Sequence, residues 1–198
     1  MEQAGDLAAT TAKLLNVSEF TSVDDATSAL ISSLQAFTQE GEDVGQRAEQ
    51  IVDLLNHIGN RYPVATNELA DGLATSSAAL VAANNSIEEQ VAMLSAGNAT
   101  MQDISTVSSG LKIVAARLRG TKSDIDDDAD SAVTNISKLQ EKIKALTKEA
   151  NGGKGIDIIN TDGSYKSTYE ILNAISKIFD KMDDVSQAEC CLCVQKCA

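Results

Sequence analysis

The sequence has no tryptophan, one proline, one histidine and only 3% aromatic residues among its 198. A core without large rings must be built from Leu, Ile, Val and Ala, which favours helices packed through small contacts over an enzyme pocket. The lone His57, between Asn56 and Ile58 near a predicted helix end, has no second histidine and no cysteine close by. It therefore founds neither a zinc site nor a catalytic triad, and reads as a solvated side chain complementing the helix dipole. Basic residues are also short: 16 Lys and Arg stand against 29 Asp and Glu, for a formal net charge of −13. Phosphate contacts need clustered Lys or Arg, so direct nucleic-acid binding is excluded as the main task. No apolar run approaches the roughly 20 residues of a membrane helix. Residues Met1 to Asp6 lack the basic and apolar regions of a secretory signal, and the expectation is a soluble chain made in the cytoplasm.

What is present suits a folded, mainly α protein of one or two domains, with 43% hydrophobic and 23% charged residues. The helical period runs through most of the chain. A modest helix at 4–15 is followed by one that Ser22-Val23-Asp24-Asp25 opens and that Ala26, Leu30, Leu34 and Phe37 face inward. Val44, Ala48, Ile51, Leu55 and Ile58 give a third, capped by Gly59. A fourth after Pro63 carries Leu69, Leu73 and Leu80 beside an alanine row at Ala70, Ala74, Ala78 and Ala82, which is expected to let a neighbouring backbone approach. Ser86-Ile87-Glu88-Glu89 is a capping box for a short helix ending by Gly97. Ile104, Val107, Leu111, Val114 and Leu118 share one face of a sixth helix, closed by Gly120.

The chain then turns acidic between Thr121 and Asp130, which marks a boundary between a helical bundle at 1–120 and a helix–hairpin–helix unit at 121–188. The unit opens with a heptad seam through Ala132, Ile136, Leu139, Ile143, Leu146 and Ala150, able to pack inside the chain or against another copy. Gly152 to Gly155 end that helix. Ile156-Asp157-Ile158-Ile159, the Asp162-Gly163 pair and Ser164-Tyr165-Lys166 predict one small β-hairpin over 156–166. Ser167-Thr168-Tyr169-Glu170 is a second capping box, and Ile171, Ile175, Ile178, Met182 and Val185 predict one apolar helix face beyond it.

Few residues suggest chemistry. Asp124, Asp126 and Asp128 alternate like the start of a calcium loop, but Ala129 and Asn135 stand where such a loop needs Gly and Glu, so they read as an acidic first turn. Gly152-Gly153-Lys154-Gly155 lacks the preceding strand and closing Lys-Ser/Thr pair of a phosphate loop. Cys190, Cys191, Cys193 and Cys197 are the only cysteines. They are no disulfide framework. They are candidate ligands for one thiophilic metal, weakened by the absence of two pairs around a folded spacer; the plainer readings are small apolar positions on a terminal helix, or a cysteine-rich tail at 189–198 that does not belong to the original fold. No catalytic constellation assembles, no cofactor is implied, and the chain is not expected to be an enzyme.

The order of three motif groups, spanning roughly 50–187, resembles the N-terminal core region of phage tail tape measure proteins. The first is Asp53-Leu54-Leu55 with Thr66-Asn67-Glu68-Leu69-Ala70-Asp71-Gly72-Leu73 and the alanine-rich helix. The second runs from Ser86-Ile87-Glu88-Glu89-Gln90-Val91-Ala92-Met93-Leu94 through Gly97 to Gly110-Leu111-Lys112 and Ala116-Arg117-Leu118. The third is Asp162-Gly163-Ser164-Tyr165-Lys166 with Glu170-Ile171-Leu172 and Ile178-Phe179.

The resemblance implies a structural scaffold inside the growing tail. Tube subunits polymerise around it and its length sets tail length. It implies as partners the tail tube protein, tail assembly chaperones and tail-tip proteins, and as location the tail lumen of the virion after assembly in the bacterial cytoplasm. It brings no catalytic residues. Such proteins continue as long helix beyond the position of Ala188, and even a wholly helical chain of 198 residues reaches only about 300 Å. The expectation is a fragment, prophage remnant or frameshifted product. Homo-oligomerisation along Ile136, Leu139, Ile143 and Leu146 is a further expectation. The alternatives are a flagellin-like or other filament subunit, which the cysteines and hairpin do not suit, and a metal-binding module using the four cysteines.

Overall fold

A computed structural model describes residues 2–119 and 129–195, with side chains over 5–119 and 138–191. The elements in order are α1 (Glu2–Val17), α2 (Val23–Phe37), α3 (Val44–Gly59), α4 (Thr66–Ala82), α5 (Ile87–Met101), α6 (Ile104–Leu118), α7 (Ala129–Thr147), α8 (Thr168–Ser176) and α9 (Asp184–Gln195), with a 3-10 turn at Phe179–Lys181. The chain divides into two compact units. Unit one is Met1–Val81 with Ser86–Ser109, and unit two is Ala82–Asn85 with Gly110–Ala198. The expected boundary at 121–130 lies almost wholly outside the described residues, as do Gly120 and the Asp124, Asp126, Asp128 series.

In unit one α1, α2 and α3 each pack on the other two, and α5 joins them through α3. The Ser22 hydroxyl accepts from the amides of Asp24 and Asp25 and starts α2, while Ala26, Leu30, Leu34 and Phe37 are buried along it. The Ser86 capping box forms in full at the start of α5.

Two expectations about small residues are corrected. The buried face of α4 is Leu69, Ala70, Gly72, Leu73, Ser76, Ser77 and Leu80, whereas Ala74, Ala78 and Ala82 are exposed. A spacing of four overshoots the 3.6-residue turn by about 40° per step, so an alanine row winds off the face it starts on. The close approach is made by glycine instead. A Cβ at Gly72 would stand 2.9 Å from Ile104 Cγ1 and 3.2 Å from Leu94 Cδ2. Gly97 likewise does not end α5, which runs on to Met101 and stops at Gln102 in the left-handed region. Gly97 is there because Val107 leans on it, 2.6 Å from where a Cβ would lie.

Unit two is built on Leu118, Ile143, Ile156, Ile158, Ile171, Ile175, Ile178, Met182 and Cys190. The predicted hairpin is not a hairpin: the described residues contain no strand, only one antiparallel bridge between Ile159 and Tyr165. Neither flank can lengthen it. Ile156 and Ile158 turn into the core, and Ser167 is already the cap of α8. Within the loop the Asp162 carboxylate accepts from the Ser164 amide and hydroxyl, and Gly163 takes the left-handed conformation.

The single helix expected through Val185 is also interrupted. α8 stops at Ser176, and Asp183 caps a new helix by accepting from the Ser186 amide. The Gln187 side chain donates to the carbonyls of Phe179 and Met182 at 2.9 and 3.1 Å, supplying partners that a continuous helix would have provided. Val185 ends up exposed.

Candidate functional site

The predicted seam belongs to α7, which packs on α9. Ile143 has no exposure and lies in the unit-two core, and Leu139 and Leu146 pack against that core while keeping part of their surface. The side chain of Ile136 lies outside the described residues. Polar groups along α7 tie it to the segment that follows. The Thr147 hydroxyl accepts from the Ile156 amide at 2.8 Å, and Lys144 Nζ meets Asp157 Oδ1 at 2.5 Å. Gln140 Nε2 donates to the same oxygen at 3.0 Å. The Lys144 hydrogen bond is the main cause that holds the Asp157 carboxyl below its ordinary pKa; desolvation opposes it, and the Gln140 hydrogen bond and the charges of Lys144 and Lys166 add to the lowering.

The cysteines divide. Cys190 is buried in the unit-two core and Cys191 is exposed, while the side chains of Cys193 and Cys197 lie outside the described residues. Among the described residues no three His, Cys, Asp or Glu side chains are grouped to hold a metal. His57 is exposed, one helical turn from Arg61, whose Nη1 lies 3.4 Å from its Nε2.

The described clefts are open and shallow in chemistry. One of about 360 Å³ in unit two is apolar, lined by Leu172, Ile175, Phe179, Cys190 and Cys191. Another of about 350 Å³ in unit one holds Glu19, Asp25, Asn67 and Asp71. There desolvation, then the charges of Asp25 and Glu68, push the Asp71 carboxyl above its ordinary pKa.

Buried hydroxyls mostly serve the helices that bear them. Ser33, Ser76, Ser95 and Thr147 each donate to the carbonyl four residues back. The lowered carboxyls of Asp103, Asp162 and Asp183 are held down chiefly by hydrogen bonds from Thr106, Ser164 and Ser186 respectively. These are caps and turns.

Sequence reasoning passed over one constellation. Asn84 and Asn85, between α4 and α5, belong to unit two. Asn84 Nδ2 donates to the Tyr165 carbonyl at 3.0 Å, and Asn85 Oδ1 accepts from the Tyr169 amide at 2.9 Å. Arg119 stacks on the Tyr165 ring at 4.6 Å. The Asn-Asn pair is a turn signal, but nothing local says what it binds.

The described residues thus form a mainly helical protein whose polar side chains largely close helices and turns. The chain belongs to the phage-related minor tail protein family, which it matches over residues 1–191. No curated protein and no solved structure matches it. Membership assigns it a structural role in the phage tail, among other tail components of the virion. Among the described residues no helix is long and apolar enough to cross a membrane.

Proposed function

We propose that the chain is part of a tail tape measure protein: a scaffold around which tube subunits assemble and whose length sets that of the tail. The observation that carries this is the ordered set of motifs over roughly 50–187, lying inside a family match that spans 1–191. Its partners on this reading are the tail tube protein, the assembly chaperones and the tail-tip proteins, met first in the bacterial cytoplasm. The net charge of −13 suits a tail lumen through which DNA later slides, since like charges do not adhere. Self-association along the seam of Ile136, Leu139, Ile143 and Leu146 uses Leu139 and Leu146, which among its described side chains keep part of their surface. A species that stays monomeric by light scattering at high concentration removes that part of the proposal.

The test is electron microscopy of tails made by the phage or prophage that carries this gene, after in-frame duplication of a helical segment. Tails lengthened in step with the insertion support a measuring role. Tails of unchanged length overturn it and leave a minor tail component of another kind.

A further inference from the structure

The chain has one Asn-Gly pair, Asn151-Gly152, and it stands in the unit-two turn that closes α7. Gly152 has φ +63 and donates to the Glu149 carbonyl at 3.3 Å, while Gly153 donates to the Lys148 carbonyl at 2.8 Å. These two bonds are those of a Schellman end, with Asn151 just before the left-handed glycine. Asn151 and Gly152 are both exposed, and among the described residues nothing hydrogen-bonds the Asn151 side-chain amide. The Gly152 N–H bond is longer than a well-made one, and no Cβ shields that nitrogen. Comparable pairs are guarded. The Asp162 carboxylate ahead of Gly163 is occupied by the Ser164 amide and hydroxyl, which keep it in the ionised form that resists attack. Asp71-Gly72 lies inside α4, where helical backbone holds the Gly72 nitrogen. Asn85, ahead of Ser86, is 5% exposed, and its side chain is bonded to the Ala83 carbonyl and the Tyr169 amide.

We propose that Asn151-Gly152 is a self-modification site, at which the chain deamidates and forms isoaspartate. The Gly152 nitrogen gives up its proton to solvent base and attacks Asn151 Cγ. The new C–N bond closes a succinimide ring, and the side-chain nitrogen leaves as ammonia. Water then adds to either ring carbonyl and breaks its bond to the Gly152 nitrogen. Opening at Cγ leaves aspartate; opening at the Asn151 main-chain carbonyl leaves isoaspartate, with the chain rerouted through Cβ and one methylene longer. The net change is amide plus water to acid plus ammonia. That extra methylene falls where the chain has no slack. The Thr147 hydroxyl accepts from the Ile156 amide at 2.8 Å, and a Cβ at Gly155 would stand 2.6 Å from Lys144 Cα. The stretch that carries Asn151 is therefore pinned at both ends, and lengthening it pulls the Ile156 amide off its acceptor. Aspartate adds only a negative charge at the C-terminal end of α7, which the helix dipole disfavours.

The full chain, aged in mildly alkaline buffer and mapped by peptide mass spectrometry, tests the site. Conversion at Asn151 is expected to run at least about tenfold faster than at the exposed Asn60, because glycine follows only the former. Equal rates at the two positions overturn the site. Amide exchange at Ile156, followed by NMR, tests the consequence. It is expected to accelerate about tenfold in the aged natural chain, the effect of losing one buried hydrogen bond. Aged N151Q, whose longer side chain closes a ring far more slowly, and fresh N151D, which adds the charge without the methylene, are expected to keep the slow exchange. A fully converted chain that still protects Ile156 overturns the strain on the turn. Fresh N151D that exchanges as fast as aged natural chain assigns the effect to charge and overturns the role of the inserted methylene.

Discussion

The hydroxyl of Thr147 joins two backbones inside unit two, donating to the Ile143 carbonyl at 2.7 Å and accepting from the Ile156 amide at 2.8 Å. Thr147 is completely buried, so no solvent can replace it. Thr147→Val keeps the shape and leaves the Ile156 N–H without its acceptor, an expected loss of about 1–3 kcal/mol in denaturant unfolding. Thr147→Ser keeps the hydroxyl and gives up one methyl, about 1 kcal/mol. Exchange of the Ile156 amide separates the two: it accelerates in the Val variant and stays slow in the Ser variant.

Two glycines are expected to respond in opposite directions to alanine. At Gly155 a Cβ would lie 2.6 Å from Lys144 Cα and press on its carbonyl, with backbone on both sides unable to rotate away. Gly155→Ala is expected to destabilise by about 1–3 kcal/mol. Gly110 sits in α6 with open space where a Cβ would go, so Gly110→Ala is expected to stabilise by about 1 kcal/mol through helix propensity. Thermal unfolding of the pair checks both signs.

Asp71 and Asp157 predict opposite pH dependences. The raised Asp71 carboxyl binds protons more readily in the folded chain, so its charge opposes folding at neutral pH and the penalty is relieved as pH falls through its raised value. Asp71→Asn is therefore expected to stabilise at neutral pH, with the gain vanishing below the ordinary carboxylate value of about 4. The lowered Asp157 carboxyl contributes stability above that ordinary value and loses it as pH falls through the depressed one. The side chains of its pair with Lys144 are 44% and 41% exposed, so Asp157→Asn should cost under about 1 kcal/mol at neutral pH. Urea midpoints measured across acid and neutral pH distinguish the two carboxyls.

Ser167→Ala removes the acceptor for the Glu170 amide at 3.0 Å and is expected to cost about 1 kcal/mol, with Ser167→Asp recovering most of it. Equal unfolding midpoints for the Ala and Asp variants would show that the cap contributes nothing.

The features legible in the sequence were those whose physics is local. Ser22, Ser86 and Ser167 announce helix starts because their side chains bond amides two or three residues on. Ala26, Leu30, Leu34 and Phe37 announce a buried face because helical spacing alone aligns them. The failures were tertiary. Gly97 reads as a stop until Val107 is seen against it, and the break after Ser176 depends on Gln187 reaching back to two carbonyls. At the candidate site the apolar seam was visible, but the core that Ile143 enters comes mostly from residues beyond Gly152. The partners of Asn84 and Asn85 lie 81 and 84 positions away, beyond any pattern of spacing.

The single bridge between Ile159 and Tyr165 has a consequence for crowding. A ladder would present rows of spare donors and acceptors along its margin, on which an extended segment of a neighbouring molecule can add. One rung folded back under its own loop offers no such template, so the described part of this chain gives strand-by-strand fibre growth nowhere to begin.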